Sequence, residues 1–153
     1  MIIVVGKWEK GWMEPRVEIN QWLQTMKAYK VDKLIMCSIK NVRGDLEEYN
    51  DIGECLNAYE DIQKVFLEPI KNNKIISNRF IPLTEFNHPK DCMYVFGNSA
   101  SGNSNYINKN DTVVYIPTLV NADLWGIVAF GIIMYDRLVK YGSNSNKKSN
   151  NFI

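Results

Sequence analysis

The N-terminal part of the chain alternates short apolar runs with one amphipathic segment. Residues 2–5 form a β-branched run that stops at Gly6, which is typical of a buried strand in a parallel sheet. Pro15 suits the first turn of a helix, and apolar side chains follow it at helical spacing as far as Tyr29. Residues 31–37 form the next apolar run. The pattern predicts a strand, a helix and a second strand parallel to the first.

Further strands and helices follow with less regular spacing. Apolar positions between residues 46 and 59 indicate a second, weaker helix, and residues 64–67 indicate a short strand. Two more strands are predicted at residues 93–96 and 113–116, and a last helix at residues 124–140. Because apolar strands alternate with helices, we expect an α/β fold with a mostly parallel sheet flanked by helices.

The composition adds limits to this picture. A chain of 153 residues fits one domain, which we place at residues 1–141. Residues 142–153 contain almost no core-forming side chains and are expected to be a disordered tail. With 18 basic and 17 acidic residues the net charge is +1, so any contact with RNA phosphates needs local clustering of basic side chains.

The cysteines and the apolar runs argue for a reduced cytoplasmic protein. Cys37, Cys55 and Cys92 are widely spaced and form no CxxC pair, which argues against a metal site and against a disulfide framework. Residues 1–6 are too short for a signal peptide, and the apolar run at residues 124–135 is too short to cross a bilayer. We therefore expect no metal and no membrane contact.

Several turn motifs follow the predicted strands in a fixed order. One strand ends at Phe96-Gly97 and leads into a serine-bearing loop with Gly102. The next strand ends at Ile116-Pro117, and the last helix has a small-residue repeat that ends at Tyr135-Asp136. In order and spacing this resembles the SPOUT methyltransferases of the ribose 2′-O-methylating branch. The first strand-helix-strand unit, with Val-Asp-Lys-Leu-Ile at 31–35, is also similar to that family.

The resemblance implies a C-terminal trefoil knot, a homodimer with its site at the subunit interface, and RNA as the substrate. It also implies that three backbone loops bind S-adenosylmethionine in a bent shape. Glycines 97 and 102 would let the main chain approach the cofactor closely, and Pro117 would fix the third loop. The implied cofactor-binding residues are Phe96, Gly97, Asn98, Gly102, Ile116, Pro117, Thr118 and Leu124.

The chain departs from the family pattern at positions that carry chemistry. The arginine expected on the first helix is replaced by Gln24, and Ser99 stands where the family has a glutamate. The Leu-Asn-Val-Ser pattern of the last helix becomes Leu-Trp-Gly-Ile at 124–127, and Glu18 puts an anion where a phosphate would approach. No general base is evident. The remaining catalytic candidates are Arg16, Gln24 and Asn98.

Other side chains favour structural roles. The single histidine, His88, is expected to be structural or merely exposed rather than a general base. Asp123 suits a cap of the last helix, and Trp22 lies on an apolar helical stripe that belongs to the core. Trp8 and Trp12 lie in a loop at the expected substrate face, where they are candidates for contact with a ligand or a dimer partner.

Three functions are compatible with these residues. The first is S-adenosylmethionine-dependent methyl transfer to an RNA ribose hydroxyl, which the resemblance favours. The second is a non-catalytic protein that retained the pocket and sequesters an adenine-containing ligand or regulates a protein partner. The lost polar residues and the near-neutral charge favour this second hypothesis. The third is a structural dimerisation module.

Overall fold

The computed structural model of the protein describes residues 1–8, 14–39, 46–70, 77–97, 102–120 and 122–145. These residues form one seven-stranded sheet and three α-helices. The strands are β1 (Ile2–Lys7), β2 (Lys33–Cys37), β3 (Glu47–Tyr49), β4 (Lys64–Leu67), β5 (Arg79–Pro82), β6 (Cys92–Phe96) and β7 (Thr112–Tyr115). The helices are α1 (Pro15–Ala28), α2 (Ile52–Ala58) and α3 (Gly126–Ser145).

All the strand pairs of the sheet are parallel, and the strands lie in the order β3-β2-β1-β6-β4-β7-β5. The predicted α/β fold with a parallel sheet is therefore confirmed, and β1 and β2 are neighbours joined through α1 as expected. The strands predicted at residues 64–67, 93–96 and 113–116 correspond to β4, β6 and β7.

Both faces of the sheet are buried, because successive strand residues point to opposite sides. One face packs against α1 and α3 through side chains that include Val4, Trp22, Met36, Tyr94, Phe96 and Phe130. The other face packs against α2 through side chains that include Ile3, Val5, Ile35, Cys55, Phe66 and Val95. The sheet therefore separates the core into two layers.

The region between residues 46 and 59 differs from its prediction as one weak helix. Its first part is the edge strand β3, which pairs with β2. The helix α2 begins only at Ile52, because the Asp51 side chain accepts a 2.9 Å hydrogen bond from the Glu54 backbone N–H and caps it there. A strand of three residues is too short to leave a periodic signal.

Two other boundaries differ from the predictions. β5 was not predicted, because it is a four-residue edge strand whose last residue is Pro82. The last helix begins at Gly126 rather than at residue 124, and it continues to Ser145 rather than stopping at residue 140. Residues 142–145 of the expected tail therefore belong to a helix, and residues 146–153 lie outside the described residues.

The path of α3 brings the end of the chain back to the middle of the sheet. α3 follows β7, yet it packs against α1, β1 and β6. In the sheet, β4 lies between β6 and β7. The chain therefore returns from β7 to the end of β6 before α3 begins.

Candidate functional site

Three adjacent strands, β6, β4 and β7, end side by side at one edge of the sheet, which we call the carboxyl edge. In the register, Leu67 of β4 pairs with Phe96 of β6 on one side and with Val114 of β7 on the other. The loops that follow these strands therefore start next to one another. Ligands of parallel α/β sheets usually bind beyond such strand ends.

The start of α3 packs directly on the turn that follows β6. A Cβ atom on Gly126 would lie 2.8 Å from the carbonyl oxygen of Gly97 and 3.3 Å from the ring of Trp22. A side chain at position 126 would therefore collide with the main chain. Gly126 allows the helix to reach the Gly97 turn. This contact joins the start of α3 to the turn after β6.

The Trp22 side chain packs against this contact from the core. Its side chain is fully buried, stacks on Phe130 with ring centroids 5.2 Å apart, and meets Phe96 edge-on at 5.9 Å. A Cβ atom on Gly6 would lie 2.8 Å from the Trp22 ring. The core role predicted for Trp22 is confirmed, and this ring connects α1, β1, β6 and α3.

The predicted cofactor-binding residues fall into different environments. The side chain of Phe96 is buried in the core, so only its main chain can face a ligand at the carboxyl edge. Ile116 and Leu124 are half-buried, while Pro117 and Thr118 are exposed. The Thr118 hydroxyl donates a 2.8 Å hydrogen bond to the carbonyl oxygen of Val120, which shapes the loop after β7. Asn98 lies outside the described residues.

Glu68, the first residue after β4, is a buried carboxylate at the carboxyl edge. Its side chain accepts a hydrogen bond from the backbone N–H of Asn103, and its own backbone N–H donates to Val114 at 3.1 Å. A Cβ atom on Gly102 would lie 2.6 Å from Glu68 Oε2. The close approach expected of Gly102 is therefore made to the Glu68 carboxylate.

Asn103 follows Gly102 and is buried, with 1% of its surface exposed. It precedes the 3₁₀ helix Ser104–Tyr106, a position at which asparagine side chains usually accept a capping hydrogen bond, but its side chain makes none. Neither its Oδ1 nor its Nδ2 has a hydrogen-bond partner in the described protein. The carboxyl edge therefore contains a buried amide with unused donors and an unused acceptor.

The candidate catalytic residues on α1 lie at different heights. α1 runs back between two parallel strands, so its first turn, with the exposed Arg16, is at the carboxyl edge. Gln24 is exposed and lies eight residues further along, about 12 Å away from that edge. Glu18 is buried and accepts a 3.4 Å hydrogen bond from Trp22 Nε1, so its carboxylate does not face an incoming phosphate.

The remaining aromatic and acidic candidates surround these elements. Trp8 is half-buried against the core, and its backbone N–H donates to Cys37 at 3.1 Å. Trp12 lies outside the described residues. The expected capping role of Asp123 does not fit, because α3 begins at Gly126 and Trp125 precedes it directly.

His88 lies far from the carboxyl edge, in the loop that leads into β6. Its Nδ1 is 2.7 Å from the hydroxyl oxygen of Tyr94, and its Nε2 is 2.7 Å from Asp136 Oδ2 on α3. Burial lowers the pKa of His88, although the neighbouring Asp136 carboxylate acts in the opposite direction. His88 is therefore a buried structural residue, as the sequence favoured.

Over the described parts of the chain, no three His, Cys, Asp or Glu side chains come together as possible metal ligands. Among those same residues, no helix is long and apolar enough to cross a membrane.

Sequence reasoning missed Glu68 and Asn103. Glu68 directly follows a predicted strand, so the rule that ligands bind at strand ends could have found it. Asn103 lies in an asparagine-rich loop, where the pattern does not distinguish a buried amide from exposed ones. In the sequence, Gly126 stands out only as part of the altered motif at residues 124–127.

No protein-family model matches the chain, and no curated protein sequence matches it significantly. Solved structures do resemble it. The SpoU methyltransferase AviRb from Streptomyces viridochromogenes, in complex with S-adenosylmethionine, matches with a TM-score of 0.67 and 14% identity, covering 94% of this chain and 61% of AviRb.

Two further structures give the same result. The S-adenosylmethionine-bound rRNA methyltransferase from Sinorhizobium meliloti matches with a TM-score of 0.63 and 11% identity, covering 91% of this chain and 56% of that protein. A protein studied for the 2-OH methylation of C/U34 on tRNA matches with a TM-score of 0.63 and 13% identity, covering 93% of this chain and 97% of that one.

These likenesses establish the architecture. The chain spans about three fifths of the length of AviRb and nearly the whole length of the protein studied for 2-OH methylation on tRNA. At these identities the comparisons concern the fold rather than individual site residues. The seven-stranded parallel sheet with its three helices is similar in fold to the SpoU methyltransferase AviRb and to the Sinorhizobium meliloti rRNA methyltransferase.

Proposed function

We propose that the protein binds S-adenosylmethionine at the carboxyl edge of β6, β4 and β7 and transfers its methyl group to a ribose 2′-hydroxyl of RNA. The observation that carries this proposal is the contact between Gly97 and Gly126, which joins the turn after β6 to the start of α3. AviRb and the Sinorhizobium meliloti enzyme, which are similar in fold, were both solved with S-adenosylmethionine bound.

The residues at this edge fit such a cofactor. Main-chain groups of the turns after β6 and β7 can bind an adenine edge, and the half-buried Ile116 and Leu124 can pack against its ring. The buried polar groups of Glu68 and Asn103 add hydrogen-bonding capacity. The cofactor would supply the methyl group, while the protein positions the ribose hydroxyl.

In this proposal Arg16 binds the RNA. It is the predicted catalytic candidate that lies at the carboxyl edge, is exposed and has a charge that pairs with phosphate. Replacing Arg16 with alanine should reduce methyl transfer to RNA and leave S-adenosylmethionine binding unchanged. The matched control is Arg79→Ala, which removes an exposed arginine from the start of β5 at the opposite edge.

Two measurements test the function. Isothermal titration calorimetry with S-adenosylmethionine measures cofactor binding, and transfer of a tritiated methyl group to total RNA measures catalysis. Binding together with transfer supports the proposal. If S-adenosylmethionine does not bind, both the site and the activity are wrong.

A second candidate function is a cofactor-binding protein without methyltransferase activity. It is favoured by Gln24, which is exposed on α1 but lies away from the carboxyl edge and lacks the charge of the family's arginine. Cofactor binding without transfer to any RNA fraction would favour this function over the first.

We include a homodimer in the proposal, formed through the outer face of α3. Val128, Ile132, Tyr135 and Val139 recur at helical spacing on this face and are 49%, 37%, 60% and 46% exposed. An apolar stripe of this kind is unusual on a monomer. Light scattering should show a dimer for the natural chain and a monomer for Tyr135→Glu; a natural chain that is monomeric at micromolar concentration would refute it.

The trefoil knot is also part of the proposal. The return of the chain from β7 to the end of β6, before α3 begins, is compatible with it. An experimental structure that traces residues 98–125 would check it. A knot requires the segment that leads into α3 to pass through a loop formed earlier in the chain, so a path that does not pass through such a loop would exclude it.

A further inference from the structure

Asn103 and Glu68 form a buried polar pair at the carboxyl edge. They come from neighbouring segments, the loop after β6 and the end of β4, and a hydrogen bond from the Asn103 backbone N–H to the Glu68 carboxylate joins them. Glu68 is 4% exposed and Asn103 is 1% exposed. Both groups are thus removed from bulk water, where a polar group needs a specific partner.

The Asn103 side chain does not serve the fold. It does not cap the 3₁₀ helix that it precedes, and both its amide nitrogen and its amide oxygen are unpartnered in the described protein. A buried amide without partners is costly, and such groups in folded proteins usually serve a ligand, an ordered water or a reaction. The Glu68 carboxylate accepts a hydrogen bond from the backbone N–H of Asn103, so the Asn103 side-chain amide has a defined position.

The chemistry of the pair selects a ligand group. A carboxylate and an amide oxygen are acceptors that suit an ammonium group, and the amide nitrogen is a donor that suits a carboxylate. A zwitterionic α-amino acid offers an ammonium and a carboxylate on one carbon atom. It satisfies both unused ends of Asn103, and its ammonium group can also approach the neighbouring Glu68 carboxylate.

From this complementarity we infer that Glu68 and Asn103 form the subsite for the α-amino-acid end of an S-adenosylmethionine-type cofactor. The inference rests on the proposed cofactor site. It assigns the two residues to specificity, because ligands that contain only the adenosine part would gain nothing from them. A requirement for Gly102 follows, since a side chain at this position would displace the Glu68 carboxylate.

Calorimetry with two stable ligands tests the subsite. S-adenosylhomocysteine has the amino-acid end, and 5′-methylthioadenosine has the same adenosine and sulfur but lacks that end. The natural chain should bind S-adenosylhomocysteine at least about tenfold more tightly, which is the effect of one charged hydrogen bond. Glu68→Gln and Asn103→Leu should each remove most of this preference while changing the affinity for 5′-methylthioadenosine less than about threefold.

Folding is checked separately. Asn103→Leu replaces the amide with an apolar side chain of similar shape, so its melting temperature should be equal to or higher than that of the natural chain. Glu68→Gln keeps an oxygen that can accept from Asn103. The matched controls are Glu60→Gln and Asn57→Leu, which change exposed residues in α2 and in the turn before β4, at the opposite edge, and should retain the full preference.

The remaining outcomes separate this inference from the proposed function. If the natural chain binds both ligands equally, or if the variants weaken both equally, the inference is wrong and the cofactor site stands. Unchanged affinities in Asn103→Leu would mean that the amide serves only a buried water, which also overturns it. If the natural chain binds neither ligand nor S-adenosylmethionine, the proposed function fails and the inference fails with it.

Discussion

The first turn and the second half of α3 are attached to the rest of the fold in different ways. In the first turn, Gly126 meets the Gly97 main chain, and the Trp22 ring packs beside this contact. In the second half, which begins at Asp136, polar side chains bind the loop before β6. The first contact is made by shape. The second is made by a continuous set of hydrogen bonds.

The hydrogen bonds at the second half of α3 form a chain with one consistent direction when His88 is neutral and protonated on Nε2. Arg137 donates to the Tyr94 hydroxyl at 3.0 Å. In this tautomer Tyr94 donates to His88 Nδ1, and His88 Nε2 donates to Asp136. Lys140 also donates to Asp136 at 2.8 Å. Burial raises the pKa of Tyr94, so its hydroxyl remains a donor. This part of the helix has the satisfied polar network of a structural element.

The difference suggests that the second half of α3 stabilises the fold and that its first turn positions the site. Stability measurements alone cannot separate the two, because both parts of the helix make buried contacts. Variants in the two parts should differ in how they change ligand binding relative to the free energy of unfolding.

The largest effect is expected from Trp22→Ala. Removing a fully buried indole that contacts Phe96 and Phe130 should lower the free energy of unfolding by about 3–5 kcal/mol, measured by urea denaturation. Val17→Ala is the control on the same helix, since Val17 is 49% exposed and its change should stay below about 0.5 kcal/mol. A loss under 1 kcal/mol for Trp22→Ala would contradict the role given to this ring.

The second prediction concerns Gly126→Val. The new side chain would meet the Gly97 carbonyl, so the start of α3 must move away from the carboxyl edge, at a cost of about 1–3 kcal/mol. S-adenosylmethionine binding should fall below detection in calorimetry even where the protein remains folded. Gly131→Ala is the control, because a Cβ atom on Gly131 meets nothing within 4 Å. Retained cofactor affinity in Gly126→Val would place the site elsewhere.

The elements that these two variants change differ in how far the sequence predicts them. The buried strands and the helix containing Trp22 were predictable, because long apolar runs and 3.6-residue spacing specify them locally. β3 and β5 were not, because short edge strands depend on the neighbour they pair with. The Gly126–Gly97 contact and the Glu68–Asn103 pair join residues that are distant in sequence. Only the sheet order brings them together.

The third prediction is for the second half of the helix. Tyr94→Phe removes the hydroxyl between Arg137 and His88 and leaves both without that partner, which should cost about 1–3 kcal/mol of unfolding free energy. Cofactor affinity should be unchanged. Tyr106→Phe is the matched control, since Tyr106 is 38% exposed and should change stability by less than about 0.5 kcal/mol. A drop in cofactor affinity for Tyr94→Phe would contradict the division between the two parts of α3.

The smallest effect is a dependence of stability on pH. The chain contains one histidine, so titration between pH 5.5 and 7.5 can be assigned to His88. Its pKa in the folded protein is lowered from 6.5 by burial, so the unfolded chain binds more protons than the folded one between the lowered pKa and 6.5. The contribution of neutral His88 is therefore fully present above pH 6.5 and decreases as the pH falls through the folded pKa.

The groups around His88 decide whether this sign is right. Asp136 favours the protonated imidazole, whereas Lys140 and Arg137 disfavour it, and burial is the largest contribution. In thermal melts, the midpoint should fall as the pH is lowered from 7 to 5.5, and His88→Gln should flatten this dependence. A midpoint that rises on acidification would mean that Asp136 dominates and that the hydrogen-bond chain runs through a charged imidazole. The second half of α3 would then be attached through an ion pair between His88 and Asp136. Its attachment would differ even more from the uncharged contact that Gly126 makes at the start of the helix.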